Sequence, residues 1–283
     1  MAALGPFQEL MQREEAKIDL ARACLLVAQG AYPVLDIDHY LAELERMAAR
    51  LRARMPQATS VEEKLIALNE FLYEDLGFWG NTDDYYDPRN SYLNDVIERK
   101  TGIPITLSVL YMEVGRRVVL PLEGVSFPGH FLVRVRMRRG MLVLDPFAGG
   151  VPQSEDELRE RLKRVVPRGA TGRVPPEELP LDHFLEPATN KQILGRLLRN
   201  LKGIYREKDE PERLLEVLNR ILVVSPDATG ELRDRGMVYY GLECWRPALQ
   251  DIRNYVEREP DAPDAVEMRA KIIELNGLCA KLN

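Results

Sequence analysis

The amino-acid sequence predicts an α+β domain followed by an all-α tail, and three observations support that prediction. Apolar residues recur with helical spacing through residues 8–75. Residues 128–147 show two short strand patterns around a turn, as in a β-hairpin. After residue 190 the sequence repeats with a period of 34 residues. The length of 283 residues suits two domains of ordinary size.

The first part of the chain contains three predicted helices. The segments 14–33, 36–55 and 60–78 each carry apolar residues three and four positions apart. Ser60 and Glu63 have the spacing of a capping box, in which each side chain binds the backbone amide of the other residue. This part is therefore expected to be helical.

A buried helix is predicted to begin at Pro104. It follows a shorter helix, for which Ser91 is the expected N-cap and which ends near Gly102. Proline suits the first helical position, because the amide hydrogen that it lacks would have no partner there. A stripe of apolar residues then marks the buried face of the longer helix: Leu107, Leu110, Tyr111 and Val114.

The hairpin that follows carries two residues capable of acid–base chemistry. His130 opens its first strand and Asp145 closes its second. A histidine with an orienting aspartate forms two thirds of a catalytic triad. A structural interpretation stays open here: His130 could bind a carboxylate and hold the hairpin together, while Asp145, before Pro146, could cap the next turn.

A linker is predicted at residues 166–189, where proline and glycine are frequent and helical periodicity stops. Just before it, Ser154 and Glu157 predict one more capped helix. We therefore expect a first domain at residues 1–165 and a repeat region at residues 190–283.

The period of 34 residues, measured from Pro226 to Pro260, is that of the tetratricopeptide repeat, a pair of antiparallel helices. Lys202 stands where glycine is usual, so we expect the first helix pair to splay. Residues 263–281 are expected to cap the stack, because the last repeat would otherwise expose an apolar face. The signature positions are Leu198, Leu201, Tyr205, Leu214, Leu218 and Ile221 in the first unit, and Leu232, Gly236, Tyr239, Ala248, Ile252 and Val256 in the second.

Composition argues against several classes of protein. The net charge of −6 and the pI near 5.4 lack the basic excess of a nucleic-acid-binding surface. The sequence has neither a membrane-spanning apolar run nor a signal-peptide pattern, so a cytoplasmic protein is expected. Three cysteines without CxxC spacing and three dispersed histidines suggest no disulfide, metal or cofactor site.

With these segments in place, the sequence resembles the transglutaminase-like superfamily, which has a papain-type α+β core. It is more closely similar to the bacterial SirB-type family, in which a tetratricopeptide tail follows that core. The resemblance implies that a cysteine opens the buried helix as nucleophile, that His130 is the base, and that Asp145 orients it. The motifs that carry it are "GFWGNTDDYYDPRNSYLNDVIERKTGIPITLSVLY", "FPGHFLVRV" and "LDPFAGG".

This sequence departs from the family at the nucleophile. The resemblance places the family's cysteine at Pro104, which has no nucleophilic atom, so thiol chemistry is not expected at this site. Thr106 and Ser108 are the candidate replacements in the same helix. Ser108 lies one turn further on, about 5 to 6 Å along the helix axis, which is too far for an unchanged His130 to reach.

Three more polar residues follow the motif "DPR", namely Asn90, Asn94 and Asp95. They are expected either to face the pocket or to be solvated. The pattern as a whole leads us to expect a non-catalytic scaffold that binds a protein or peptide partner through its repeat groove and its degenerate pocket.

Two alternatives stay open at this point. One is a hydrolase or acyltransferase that uses Ser108 or Thr106 as nucleophile and His130 as base. The other is a purely structural tail whose groove is filled by the protein's own residues 177–184.

Overall fold

The chain folds into two compact units, described here from a computed structural model. One unit comprises residues 13–197, and the other comprises residues 1–12 together with residues 198–283. The predicted boundary at 165 and 190 stays a prediction, and residues 166–179 of the predicted linker lie outside the described residues. The structure describes residues 4–55, 60–138, 140–165 and 180–281.

The N-terminal part is helical, as the sequence predicts. Asp19 and Asp36 cap the second and third helices by accepting hydrogen bonds from backbone amides of the first turn. Ser60 and Glu63 form the predicted capping box. The fourth helix continues as a π-helical turn at Glu70–Asp75. The four helices are α1 (Leu4–Met11), α2 (Leu20–Ala28), α3 (Ile37–Arg54) and α4 (Val61–Asn69).

The central helix α6 (Pro104–Arg117) begins at Pro104, and its residues 104–115 are all buried. It packs against α2, α3 and α5 (Leu93–Arg99). The prediction that Ser91 caps α5 is wrong: Tyr92 holds that position without a side-chain bond. Ser91 instead ends a 3-10 turn, and its hydroxyl is buried without a partner. Ser91 follows Pro88 by three residues, and the proline favours that turn.

Two small sheets complete the first unit. Strands β1 (Trp79–Gly80) and β2 (Thr101–Gly102) pair in parallel just before α6. Strands β3 (Leu122–Val125), β4 (Leu132–Met137), β5 (Gly140–Asp145) and β6 (Val151–Pro152) form an antiparallel sheet in that order.

Helices α7 (Glu155–Val165) and α8 (Leu181–Phe184) cover an apolar cluster of this sheet. Ser154 and Glu157 cap α7 as predicted. Leu181 of α8 belongs to the cluster, and Phe184 packs against it. The part of the segment 177–184 that the structure describes is therefore tied to the sheet.

The second unit contains the predicted helical repeats. In it, α1 packs against the second helix of the first repeat. The repeat helices are α9 (Asn190–Glu207), α10 (Pro211–Val224), α11 (Thr229–Gly241) and α12 (Trp245–Arg258), and α13 (Ala265–Ala280) follows them where the cap is expected. In the described ranges no helix is long and apolar enough to cross a membrane.

The position of Lys202 shows how the first repeat accommodates its unusual residue. Its ammonium group forms ion pairs with Glu231 and Asp234 of α11. In the second repeat the equivalent residue is Gly236, where an added Cβ would lie 2.7 Å from Ile252. The lysine thus uses its length to link successive helices through charge.

Candidate functional site

His130 and Asp145 lie side by side, because the hairpin register brings them together. Val133 pairs with Leu144, so Asp145 lies opposite Leu132 and close to the turn that holds His130. The Nε2 atom of His130 is 2.9 Å from Oδ1 of Asp145. When Nε2 donates this hydrogen bond, the neutral imidazole keeps a lone pair at Nδ1, the nitrogen that would face a nucleophile.

Asp145 is held as a carboxylate by three donors. Its side chain is 1 % exposed. The carboxylate accepts hydrogen bonds from His130, from a guanidinium nitrogen of Arg161 at 2.8 Å and from the backbone amide of Phe147 at 3.1 Å. Burial alone would raise the pKa of Asp145. The bond to His130, the charge of Arg161 and the Phe147 amide outweigh burial and hold that pKa below its ordinary value. The imidazole is therefore oriented by a charged, fixed partner.

The loop after Asp145 is attached to the first helices by two hydrogen bonds, and a third holds one of their donors in place. Tyr73 donates to the carbonyl oxygen of Pro146 at 2.8 Å, and the Asn69 amide group donates to that of Gly150 at 3.1 Å. Tyr111 of α6 in turn donates to Asn69 at 2.8 Å. Gly150 has a φ of 73°, a conformation that favours glycine. These bonds explain the glycines in the motif "LDPFAGG".

The start of α6 is connected to the same loop through β1 and β2. Gly102 of β2 pairs with Gly80 of β1 and lies two residues before Pro104. An added Cβ at Gly80 would lie 2.7 Å from the carbonyl oxygen of Phe147, so β1 touches the loop directly. The ring of Phe147 stands edge-on to His130, with 6.0 Å between the centroids. These contacts link the strand just before α6 to Phe147 and, through Phe147, to His130; proline is the first residue of the helix.

Neither hydroxyl proposed as a replacement nucleophile is hydrogen-bonded to His130. Thr106 donates to the carbonyl oxygen of Asn90 at 2.6 Å and accepts the Ile103 amide at 3.1 Å, so its hydroxyl caps the helix. The hydroxyl of Ser108 is fully buried and has no hydrogen-bond partner. The serine alternative therefore has no base in contact with it in this conformation.

The three polar residues after "DPR" have different environments. The Asn90 side chain donates to the carbonyl oxygen of Asp84 at 2.7 Å and accepts the Asn81 amide group at 3.1 Å, so it holds the loop 81–90. Asp95 accepts the Tyr32 hydroxyl at 2.7 Å, and burial raises the pKa of Asp95.

Asn94 is buried, and its side-chain oxygen has no hydrogen-bond partner. All three residues are thus buried, whereas solvation was one of the two environments predicted for them. Whether any of them lines the pocket stays a prediction.

The three cysteines lie away from these contacts. Burial raises the pKa of the Cys24 thiol, so this cysteine is a poor thiolate at neutral pH. Cys244 is exposed and Cys279 is partly exposed, and both belong to the repeat unit. Within the described part of the chain, no cluster of three or more His, Cys, Asp or Glu residues could hold a metal ion.

Aromatic side chains surround the site, and the sequence analysis did not identify them. Tyr85 contacts both Tyr86 and Phe147, with ring centroids 5.4 and 6.3 Å apart. Trp79 precedes Gly80, which touches Phe147. Trp79, Tyr85 and Tyr86 are 49 %, 38 % and 64 % exposed, an unusual amount for large aromatic residues. We call Tyr85, Tyr86 and Phe147 the aromatic rim; Trp79 is left out, because successive side chains of a strand point to opposite faces and Gly80 faces Phe147.

Comparison with known proteins identifies the families of the two parts of the chain. A family model described as the transglutaminase-like superfamily matches residues 38–199, and a tetratricopeptide-repeat model matches residues 201–272. The matches define a transglutaminase-like protein with a tetratricopeptide tail, and they confirm the predicted fold class.

Relatives of known name match most of the chain. The UPF0162 protein of Xylella fastidiosa (strain Temecula1) is 40% identical over 263 residues, which is 93% of this chain and 92% of the relative. UPF0162 protein YchA of Escherichia coli K12 is 29% identical over 266 residues, 94% and 96% of the two chains. Protein SirB1 of Salmonella typhimurium is 29% identical over 231 residues, 81% and 82% of the two chains. The chain therefore belongs to the family of the UPF0162 and SirB1 proteins, and the resemblance drawn from its motifs is confirmed.

Proposed function

We propose that this protein is a non-catalytic transglutaminase-like protein that binds a protein or peptide partner. One observation supports this most directly. The His130–Asp145 pair has the hydrogen bond that a catalytic base needs, yet the first position of α6 is Pro104, which offers no thiol or hydroxyl. A site that keeps its oriented imidazole without a nucleophile can bind a peptide but has no group to form a covalent intermediate.

The aromatic rim favours binding at this site. Aromatic side chains combine a large apolar surface with few rotatable bonds, and tyrosine and tryptophan also carry a polar tip. Such residues are enriched at the centres of protein interfaces. Tyr85 and Tyr86 of the rim lie on the loop 81–90, which Asn90 holds, so this part of the rim is preorganised for a ligand.

The repeat unit offers a second binding surface. A cleft of about 490 Å³ lies between α9, α10 and α11. Tyr205, Leu214, Met237 and Val238 supply apolar lining. Two of the charged side chains beside it, Arg206 and Asp234, are paired with each other at 2.5 Å. A partner would therefore gain most from apolar contacts in this cleft.

A peptide array probed with the labelled full-length protein tests the proposal. We expect binding to a subset of peptides, and mass spectrometry of those peptides should show neither cleavage nor transfer after incubation. Replacement of all three cysteines should leave binding unchanged. An absence of binding peptides, or turnover of those that bind, would contradict the proposal.

Two variants show which of the two surfaces binds a given peptide. His130→Ala tests the dyad site, and Val238→Arg fills the repeat cleft. Val266→Arg is the matched control for the second change, because Val266 is 77 % exposed on α13 and does not line the cleft. We expect His130→Ala or Val238→Arg to weaken each peptide, whereas Val266→Arg leaves all of them bound. Equal binding by all three variants would count against both surfaces.

A further inference from the structure

Arg196 is a half-buried arginine beside the dyad that is fixed by the backbone and not by an acidic residue. Its Nη1 atom donates to Oγ of Ser126 and to the carbonyl oxygen of Phe127, both at 2.8 Å. Its guanidinium plane lies over the ring of Phe131, 5.6 Å from the centroid. These contacts fix the orientation of the group while leaving its charge unneutralised.

Among the described residues, the other edge of this guanidinium has no hydrogen-bond or ion-pair partner. No described residue forms an ion pair with Arg196, and its Nε and Nη2 atoms have no hydrogen-bond partner among the described residues. Arg196 as a whole is partly exposed to solvent. Burial lowers the pKa of Arg196, and the nearby Tyr85 opposes that shift. By contrast, Arg161 and Arg134 of the same unit each contact a carboxylate.

This edge of Arg196 lies next to the dyad and the rim. The carbonyl oxygen of Phe127 accepts two hydrogen bonds, one from Nη1 of Arg196 at 2.8 Å and one from the backbone amide of His130 at 3.1 Å. The two residues are therefore bound to the same backbone atom. Tyr85 interacts electrostatically with Arg196, and its ring contacts Phe147 beside His130. The residues thus form a continuous ring around one site.

We propose that Arg196 binds a carboxylate of the peptide that occupies the dyad site, through its Nε and Nη2 edge. Two parallel N–H donors match the two oxygens of a carboxylate, and this bidentate pair is stronger and more directional than a single bond. The aromatic rim would hold the apolar residues that flank the carboxylate. This inference rests on the proposed function, and it adds the chemical class of the ligand.

The test uses the array peptides whose binding His130→Ala weakens. Each is resynthesised in three forms: the parent peptide, a form with Asp and Glu replaced by Asn and Gln, and a form with an amidated C-terminus. Dissociation constants are measured by fluorescence anisotropy in about 0.15 M salt, where distant charges are screened. We expect one neutral form to bind about 10- to 100-fold more weakly to the wild-type protein, the range for a lost charge-assisted hydrogen bond. The form that weakens shows whether a side chain or the C-terminus supplies the carboxylate.

Variants of Arg196 test whether this residue causes the weaker binding of the neutral peptide. In Arg196→Gln, the parent and neutral peptides should bind within about twofold of each other, since the partner of the carboxylate is gone. Arg136→Gln is the matched control, because it removes the same charge from an exposed position on β4, and the discrimination should remain. Arg196→Lys should keep part of it, because the charge stays and the paired donors are lost.

The possible failures are distinguishable. If no peptide on the array binds, both the proposed function and this inference are wrong. If peptides bind but neither neutral form weakens them in the wild-type protein, the inference alone is wrong, and that comparison needs no variant to fold. Discrimination that persists in Arg196→Gln or Arg196→Lys at full strength would also overturn it.

Discussion

The substitution Pro104→Cys restores a thiol at the start of α6 and tests whether this position is the family's nucleophile position. The free energy of unfolding should change little, because most residues tolerate the first helical position. The new cysteine would stand at the N-terminus of a helix of 14 residues, and the family resemblance implies that His130 is within its reach. We expect it to be unusually acidic.

The expected shift of the thiol pKa follows from three contributions, two that favour the thiolate and one that disfavours it. The helix N-terminus favours a thiolate by about 0.3–1 kcal/mol, up to about 2 in a partly buried position. A charge-assisted hydrogen bond from the His130 imidazolium adds about 1.5–3 kcal/mol. Burial acts in the opposite direction, as it does at Cys24. At 1.36 kcal/mol per pKa unit, we expect the thiol pKa to fall from about 8.5 to roughly 6, inside the range of activated cysteines.

The assay is the pH dependence of iodoacetamide labelling, followed for each cysteine by mass spectrometry. The midpoint of the profile is the better measure, because a more acidic thiolate is also less nucleophilic and a single rate would understate the shift. Pro211→Cys is the matched control, since Pro211 is also the first residue of a helix of 14 residues, α10. It stands at a helix start between Glu210 and Glu212, whose charges disfavour a thiolate, so its midpoint should lie above that of Pro104→Cys.

The histidine contribution is isolated by a double variant. Adding His130→Ala to Pro104→Cys should raise the midpoint toward that of Pro211→Cys. If the Pro104→Cys midpoint is no lower than the Pro211→Cys midpoint, and His130→Ala changes nothing, then Pro104 is not the nucleophile position and the dyad only holds the hairpin together.

Three further predictions concern stability. Asp145→Asn should lower the free energy of unfolding by about 1.5–3 kcal/mol at neutral pH. Because the folded pKa of Asp145 lies below its ordinary value, this difference should be complete above about pH 4 and shrink as the pH falls through the folded pKa; a pH-independent difference in urea melts would be inconsistent with it. Ser108→Ala removes a buried hydroxyl without a partner, so stability should be unchanged or slightly higher, and a fluorophosphonate probe should label neither protein; a label at Ser108 would revive the hydrolase alternative. Gly150→Ala should cost about 1–3 kcal/mol of strain and more from contact with Asn69, whereas Gly149→Ala, with a φ of 83° and no atom within 4 Å of its added Cβ, should cost only the strain; equal urea midpoints for the two would show that the loop contact contributes nothing.

Local features of the chain were predictable from sequence, because they depend on residues a few positions apart. The capping boxes at Ser60 and Ser154 and the helix start at Pro104 follow from the chemistry of backbone amides in a first helical turn. The 34-residue period specifies repeat helices, because each pair must bury the same apolar face against the next. The pairing of His130 with Asp145 was also accessible, since one hairpin carries both residues.

One local prediction, the Ser91 cap, failed because packing overrode propensity, whereas the expected splay of the first repeat at Lys202 stays a prediction. Ser91 has the chemistry of an N-cap, but Pro88 begins a 3-10 turn that places its hydroxyl in the interior. Lys202 is a poor residue for a closely packed repeat position, but Glu231 and Asp234, on another helix, give it two ion-pair partners.

By itself the sequence determined where this protein's helices start, that its tail repeats and that its histidine and aspartate meet without a cysteine. Only the tertiary structure decided which cations and rings surround that pair. Arg161 looks like any charged residue of a surface helix, yet the fold directs it to Asp145. Arg196 lies 66 positions after His130 in the sequence, and both contact the carbonyl oxygen of Phe127. Such contacts depend on sheet register and helix packing between distant segments, and no short-range pattern encodes those.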